Sequence, residues 1–329
     1  YDWSKTIATS DPDFYHWTQW IFKQLYKDGY AKYVDMPVNW CEELGTVLSN
    51  DEVIDGKSER GGYPVIRKNM KQLCIDQAAF AERLLEGLNE IDWPESTKEM
   101  QRNWIGRSTG VEVQFEIVGG GKFSIFTTCI ETIYGITFMV LAPDGDLVQE
   151  LMPRIKNQDE VKAYIQETVS KSEMDRTELN KGKSGCRLEG IKAINPVNGR
   201  EVEVFIGDFV LANYGTGAVM AVPSHDQRDF EYAIAHHIDM IQVIEGQDVS
   251  EHAFEKQDYL GKGCKLINSE EFTGLTVEEA KVAITKKLVD MGIAKETVNY
   301  RFREWIFARQ RYWGEPVPIV HLEDGTDYV

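Results

Sequence analysis

Hydrophobic positions in the first hundred residues recur at helical spacing, and beyond residue 107 the period shortens. Phe14, Trp17, Ile21 and Leu25 follow the cap-plus-first-turn pair Asp11-Pro12 and run up to Gly29, which predicts a helix with those side chains packed in a core. A second helix is predicted from about Gln77 to Leu88, with Phe80, Leu84, Leu85 and Leu88 on one face. The stretch from Asn50 to Gly62, rich in glycine and charge, reads as loops or a small irregular subdomain. Past Gly106, Val111, Val113, Phe115 and Ile117 alternate with Glu112, Gln114 and Glu116, the signature of a half-buried strand. Gly119-Gly120-Gly121 turns the chain into a second strand, Lys122 to Thr128, and Ile133 to Ala142 reads as a third. A helix is expected from Asn157 to about Ser170. Asn198-Gly199 marks a hairpin whose second strand runs from Glu201 to Ala212, and Val282 to Leu288 is a further helix. This mixture places the chain in the α/β (α+β) class, with a β-barrel-like core and peripheral helices.

Tyr214 to Ala233 is the most informative stretch. A glycine-punctuated loop leads into the apolar run Ala218 to Val222, a buried strand that Pro223 ends. Ser224 followed by Gln227 three residues on is a capping-box pattern, so a helix is predicted to start at His225. Phe230, Ala233 and Ile234 mark its buried stripe. At about 100° per residue, Asp226 falls within that stripe, Asp229 borders it and Arg228 points away. Inward carboxylates need a partner. Asp226 lies in the first turn, where an acid either complements the helix dipole or faces a ligand. Asp229 gains less from the dipole, which leaves a buried salt bridge or a ligand-facing role.

Composition narrows the class. The chain has 329 residues, 42% hydrophobic and 27% charged, enough for two or three soluble domains. No apolar run approaches the ~18 residues of a membrane span, and no signal peptide is present. Cys41, Cys74, Cys129, Cys186 and Cys264 are scattered and form no CxxC, so neither a disulfide framework nor a metal site is expected, and a cytoplasmic setting fits. A net charge of −18 excludes broad nucleic-acid binding but not one RNA end entering a pocket. The opening Tyr1-Asp2-Trp3-Ser4, without a start methionine, suggests an excised fragment.

YGTGAVMAVPSHDQRDFEYA, residues 214–233, resembles the editing-site segment of the bacterial-type leucyl-tRNA synthetase family. MQRNWIGRS, residues 100–108, resembles the junction where the family's Rossmann-type class I catalytic domain gives way to an inserted editing domain. YRFREWIFARQRYWG, residues 300–314, resembles the return segment. The resemblance implies catalytic-domain segments at 1–107 and 300–329 flanking an editing domain at 108–299. The first includes a degenerate zinc-module region in which Cys41 lacks its partner cysteines, so no metal is expected. The resemblance also implies that Asp229 holds the α-ammonium group of a misattached amino acid. Tyr214, Met220, Val222 and His225 would line or border the pocket, with Asp226 beside them.

Thr127-Thr128-Cys129-Ile130-Glu131-Thr132 stands where the family pattern is TTRPDT. By that likeness Thr127 and Thr128 offer hydroxyls to ribose or water, and Thr132 blocks leucine's branched side chain. Cys129 and Ile130 remove a cation and a rigid turn, whereas Glu131 keeps the acid on a longer arm. The implied activity is hydrolysis of the ester on mischarged tRNA-Leu, by a monomer that meets the acceptor end and the amino acid ester. Editing would need no cofactor, and ATP and magnesium would serve the parent synthetase. The HIGH and KMSKS signatures are absent, so these residues are not expected to aminoacylate. Two alternatives stay open: an isoleucyl- or valyl-type editor, and a tRNA-docking insertion that has lost hydrolysis.

Overall fold

The structure is a computed structural model and describes residues 1–169, 184–212, 216–302, 304–308 and 315–329. The chain divides into two units, one of Tyr1–Arg107 with Tyr300–Val329 and the other of Ser108–Asn299. No helix among the described residues is long and apolar enough to cross a membrane.

In the first unit, helix α1 (Pro12–Lys27) has Asp11 at its N-cap and Pro12 at its first position. It packs on a sheet ordered β13-β5-β1-β2, formed by β1 (Ala31–Cys41), β2 (Thr46–Leu48), β5 (Ile66–Ile75) and β13 (Trp305–Ile306). Two two-residue pairs, β3 (Val53–Ile54) with β4 (Lys57–Ser58) and β14 (Val320–His321) with β15 (Asp327–Tyr328), complete its strands. Trp17 and Ile21 are not core residues, with 63% and 54% of their surface exposed. Phe22, one position out of the expected register, fills the core with Ala31 and Leu73, and Leu25 and Tyr26 pack beside it. A helix with apolar residues on several sides offers more than one stripe, and packing on the sheet selects only one. Helices α2 (Ala81–Gly87) and α3 (Glu95–Ile105) follow, and Gly106 ends α3 in the left-handed region at φ 60°. Cys41 and Cys74 are buried and take part in no disulfide.

The second unit is built on β6 (Ser108–Ile117), β7 (Lys122–Thr127), β8 (Phe138–Leu141), β9 (Gly185–Ile194), β10 (Glu201–Gly207), β11 (Ala218–Ala221) and β12 (Ala294–Asn299). The sheet order is β11-β8-β10-β9-β6-β12, with β7 also on β6. β8 and β10 are parallel and the other pairs antiparallel. The sheet curls until β7 and β11 lie against each other, but no ladder joins them, so the barrel-like core is not a closed barrel. Around it lie α4 (Asp146–Leu151), α5 (Gln158–Val169), α6 (Gln227–His236), α7 (Lys256–Tyr259) and α8 (Val277–Asp290).

At β8 and along most of β10, both faces of the sheet are buried. Met139 and Leu141 point into the main core with Val204 and Ile206, while Phe138 and Val140 point the other way, toward Phe205, Tyr232 and Ala233. Burial on both faces explains why Phe138–Leu141 reads as a continuous apolar run without alternation. The strand expected from Ile133 is shorter than its hydrophobicity suggests. Ile130–Gly135 is a fully buried 3₁₀ turn, and only Phe138–Leu141 pairs as strand. A run apolar throughout carries no period, so Ile130, Ile133 and Tyr134 fill the core as well from a turn as from a strand.

Candidate functional site

Alternation along two abutting strands forms one side of the site. In β7, Phe123 and Ile125 point into the main core, and period two carries Thr127 to the same face. In β11, Ala218 faces that core, Met220 packs against it half-buried, and Val222 just beyond is buried in it. Thr127 and Met220 therefore lie on the inner face of the curl, where the packed core gives way to partly exposed side chains.

Thr127 ends β7 in a hydroxyl-bearing turn. Its Oγ1 accepts from the Cys129 N–H at 3.0 Å, and Thr132 Oγ1 donates to the Cys129 carbonyl at 2.8 Å. Thr132 is 1% exposed and Thr128 half-buried, with Thr128 Oγ1 3.6 Å from Cys129 Sγ. The strand end is made possible by Gly110 in β6. A Cβ there would collide with the Thr127 carbonyl oxygen and sit 2.8 Å from Phe126 Cζ. Since the obstacle is backbone, Gly110→Ala is expected to cost about 1–3 kcal/mol of unfolding free energy, measurable by urea denaturation.

The acid-bearing arm runs from β11 into α6. Pro223 ends the strand as expected, but the helix begins at Gln227, two residues later than predicted, with Asp226 as its N-cap. Asp226 Oδ1 accepts from the N–H groups of Arg228 and Asp229 at 3.0 and 3.1 Å, and Ser224 instead sits buried upstream. Both residues are capping types, and the turn Val222–Asp226, closed by His225 and Asp226 N–H groups on the Val222 carbonyl, decides between them. Asp229 lies in the first turn at 8% exposure, its Oδ2 accepting from the Val222 N–H at 2.9 Å. That carboxylate is thus turned inward, toward the strand that carries Met220.

His225 is buried and has both ring nitrogens engaged. Nδ1 is 3.0 Å from the Phe254 carbonyl, which accepts only, so Nδ1 carries the proton, and Nε2 accepts from the Val243 N–H at 3.0 Å. Burial pushes its pKa down to about 4. The ring ties the turn before α6 to two distant loops and stays neutral. A histidine with a lower pKa folded than unfolded binds fewer protons folded across the interval from ~6.5 to about 4, so stability rises with pH there. The contribution is about 3 kcal/mol. His225→Gln cannot protonate, so its deficit against the wild type is expected to shrink by about that much between pH 7 and pH 4 in urea midpoints.

Glu131 departs most from expectation. Its carboxyl is fully buried, and burial pushes its pKa up. Oε1 accepts from Tyr259 OH at 3.1 Å, and Oε2 has no partner among the described residues. Lys281 of α8 reaches the same turn, its Nζ 2.9 Å from the Thr128 carbonyl. Neither Tyr259 nor Lys281 is flagged by the sequence, since each meets the turn from more than a hundred residues away. Tyr214 lies outside the described residues. No group of three or more His, Cys, Asp or Glu side chains able to hold a metal occurs among the described residues.

Two family descriptions match the chain. "Leucyl-tRNA synthetase, editing domain" covers residues 102–289, and "tRNA synthetases class I (I, L, M and V)" covers residues 1–195. Among solved structures, the chain is similar to the ternary complex of Agrobacterium radiobacter K84 agnB2 LeuRS-tRNA-LeuAMS, at 30% identity and a TM-score of 0.76. The similarity extends over 100% of this chain and 37% of that one, so the chain spans a little over a third of that relative's length.

Proposed function

The chain belongs to the leucyl-tRNA synthetase editing-domain family of class I synthetases, and from that premise we propose that residues 108–299 hydrolyse the ester of mischarged tRNA-Leu. The flanking segments 1–107 and 300–329 belong, in this reading, to the catalytic domain of a parent that joins leucine to tRNA-Leu with ATP and magnesium. Shape alone separates leucine from norvaline or isoleucine by only about 1–3 kcal/mol, too little for faithful translation, which is why a second hydrolytic site has value.

The observation that carries the proposal is the meeting of β7 and β11, which brings a buried acid-bearing helix start beside a hydroxyl-bearing turn. Asp229, whose Oδ2 is held by the Val222 N–H, binds the α-ammonium of the esterified amino acid. Thr132, immobilised on the Cys129 carbonyl, closes the side-chain pocket to leucine's γ-branch. Thr127 and Thr128 orient the ribose and a water molecule, while Met220, Val222 and Asp226 border the pocket. His225 supports that wall but supplies no base, because both of its nitrogens are spoken for. The attacking water adds to the ester carbonyl carbon, the bond to the ribose oxygen breaks, and free amino acid and tRNA with a restored hydroxyl leave. A neighbouring ribose hydroxyl takes part in activating the water, with positioning supplying much of the rate. No cofactor enters this hydrolysis.

The test is deacylation of isoleucyl- and norvalyl-tRNA-Leu by the full-length protein. Release of amino acid well above the buffer rate supports the proposal. A rate equal to buffer with both substrates would identify a docking insertion instead.

A further inference from the structure

One side chain touches both arms of the site. Tyr259, at the end of α7 and 1% exposed, donates its hydroxyl to Glu131 Oε1 at 3.1 Å, next in sequence to Thr132. Its ring meets the His225 imidazole edge to face, with centroids 6.1 Å apart and planes at 87°. His225 is the residue before the α6 cap and is itself fixed by Phe254 and Val243. Phe254 in turn packs against the Tyr259 ring, with centroids 5.7 Å apart. The turn bearing Thr132 and the helix start bearing Asp229 therefore lean on opposite parts of one buried phenol. The Tyr259 hydroxyl is the group that Glu131 Oε1 bonds, and Oε2 has no hydrogen-bond partner among the described residues.

We propose that Tyr259 is a positioning residue that sets the spacing between the Thr132 turn and the Asp229 helix, and through it the site's discrimination between leucine and unbranched side chains. This rests on the hydrolytic reading above. A pocket that separates two amino acids by one branch depends on where its walls stand. Removing the hydroxyl lets the Thr132 turn relax on the Glu131 side while the aromatic packing against His225 persists.

The experiment compares norvalyl- and leucyl-tRNA-Leu deacylation by the full-length wild type with Tyr259→Phe, Glu131→Gln and the double variant Tyr259→Phe/Glu131→Leu, each with a melting curve. Tyr259→Phe is expected to lower the norvalyl-to-leucyl rate ratio about tenfold, mainly through faster leucyl hydrolysis. Glu131→Gln keeps an acceptor for the phenol and is expected to keep the wild-type ratio. The double variant leaves no unpaired buried partner, so it should melt near the wild type yet still show the relaxed ratio, which a purely structural tyrosine would not produce. A wild-type ratio in both Tyr259→Phe and the double variant overturns the assignment. Absence of hydrolysis by the wild type itself would refute the functional reading, and this assignment with it, before any variant is compared.

Discussion

Asp229→Ala is expected to lower deacylation of norvalyl-tRNA-Leu by about 10²–10³-fold. The carboxylate is mostly buried, and in the proposed complex it meets an ammonium in the same water-poor cleft. Removing one partner of such a pair costs about 3–5 kcal/mol, because the other charge is left desolvated and alone, and about 1.4 kcal/mol corresponds to a factor of ten. The alanine also strips the Val222 N–H of its acceptor, so part of the loss would be structural. Asp229→Asn separates the two effects. Its amide oxygen can still accept from Val222, but it carries no charge, so the turn should hold while hydrolysis falls nearly as far. Single-turnover deacylation with both variants, alongside melting curves, checks this.

Thr132→Ala is expected to act in the opposite direction, creating an activity. The wild-type side chain is fully packed and its rotamer is set by the bond to the Cys129 carbonyl. Removing its hydroxyl and methyl opens room for a γ-branch. A branch-sized change in a pocket is worth about 1–3 kcal/mol, so hydrolysis of correctly charged leucyl-tRNA-Leu should rise about 10- to 200-fold. Norvalyl hydrolysis should change much less. An enzyme so altered would destroy its own product, and net leucylation by the full-length protein would drop correspondingly. Serine at the same position keeps the hydroxyl and loses the methyl, and should fall between the two.

How far the sequence reveals this site can be judged residue by residue. The inward turn of Asp229 is legible from its position relative to Phe230 and Ala233, although Ile234, placed by the same period in the buried stripe, is exposed, and Asp226, expected deeper in it, caps the helix half-buried. The strand Val111–Ile117 was legible for a similar reason, since one buried face leaves a clear alternation. The helix start was less so. Ser224 and Asp226 are both good caps, and only the tertiary turn closed on the Val222 carbonyl chooses Asp226. The stretch Ile133–Ala142 reads as one strand because it is largely apolar, yet only Phe138–Leu141 pairs, since hydrophobicity without a period records burial but not backbone shape. Helical spacing alone places Trp17 and Ile21 in a core that Phe22 occupies instead.

The supports of the site were not legible at all. Tyr259 and Lys281 converge on the Thr127–Thr132 turn from distant parts of the chain, and no local pattern marks either one. Glu131 illustrates the same limit from the other side. As a letter it is an acid one methylene longer than the family's aspartate, which suggests a retained charge. In the fold it is enclosed beside a phenol, where burial favours the neutral form.

Recognition of the amino acid's charge by Asp229 is tested most directly by removing that charge from the substrate. Deacylation of norvalyl-tRNA-Leu and N-acetyl-norvalyl-tRNA-Leu should be measured with the wild type and with Asp229→Asn. The account predicts that acetylation slows the wild type at least a hundredfold, in keeping with the ~3 kcal/mol or more attached to a desolvated charge pair, and has little further effect on Asp229→Asn. Equal hydrolysis of the two substrates by the wild type would contradict it.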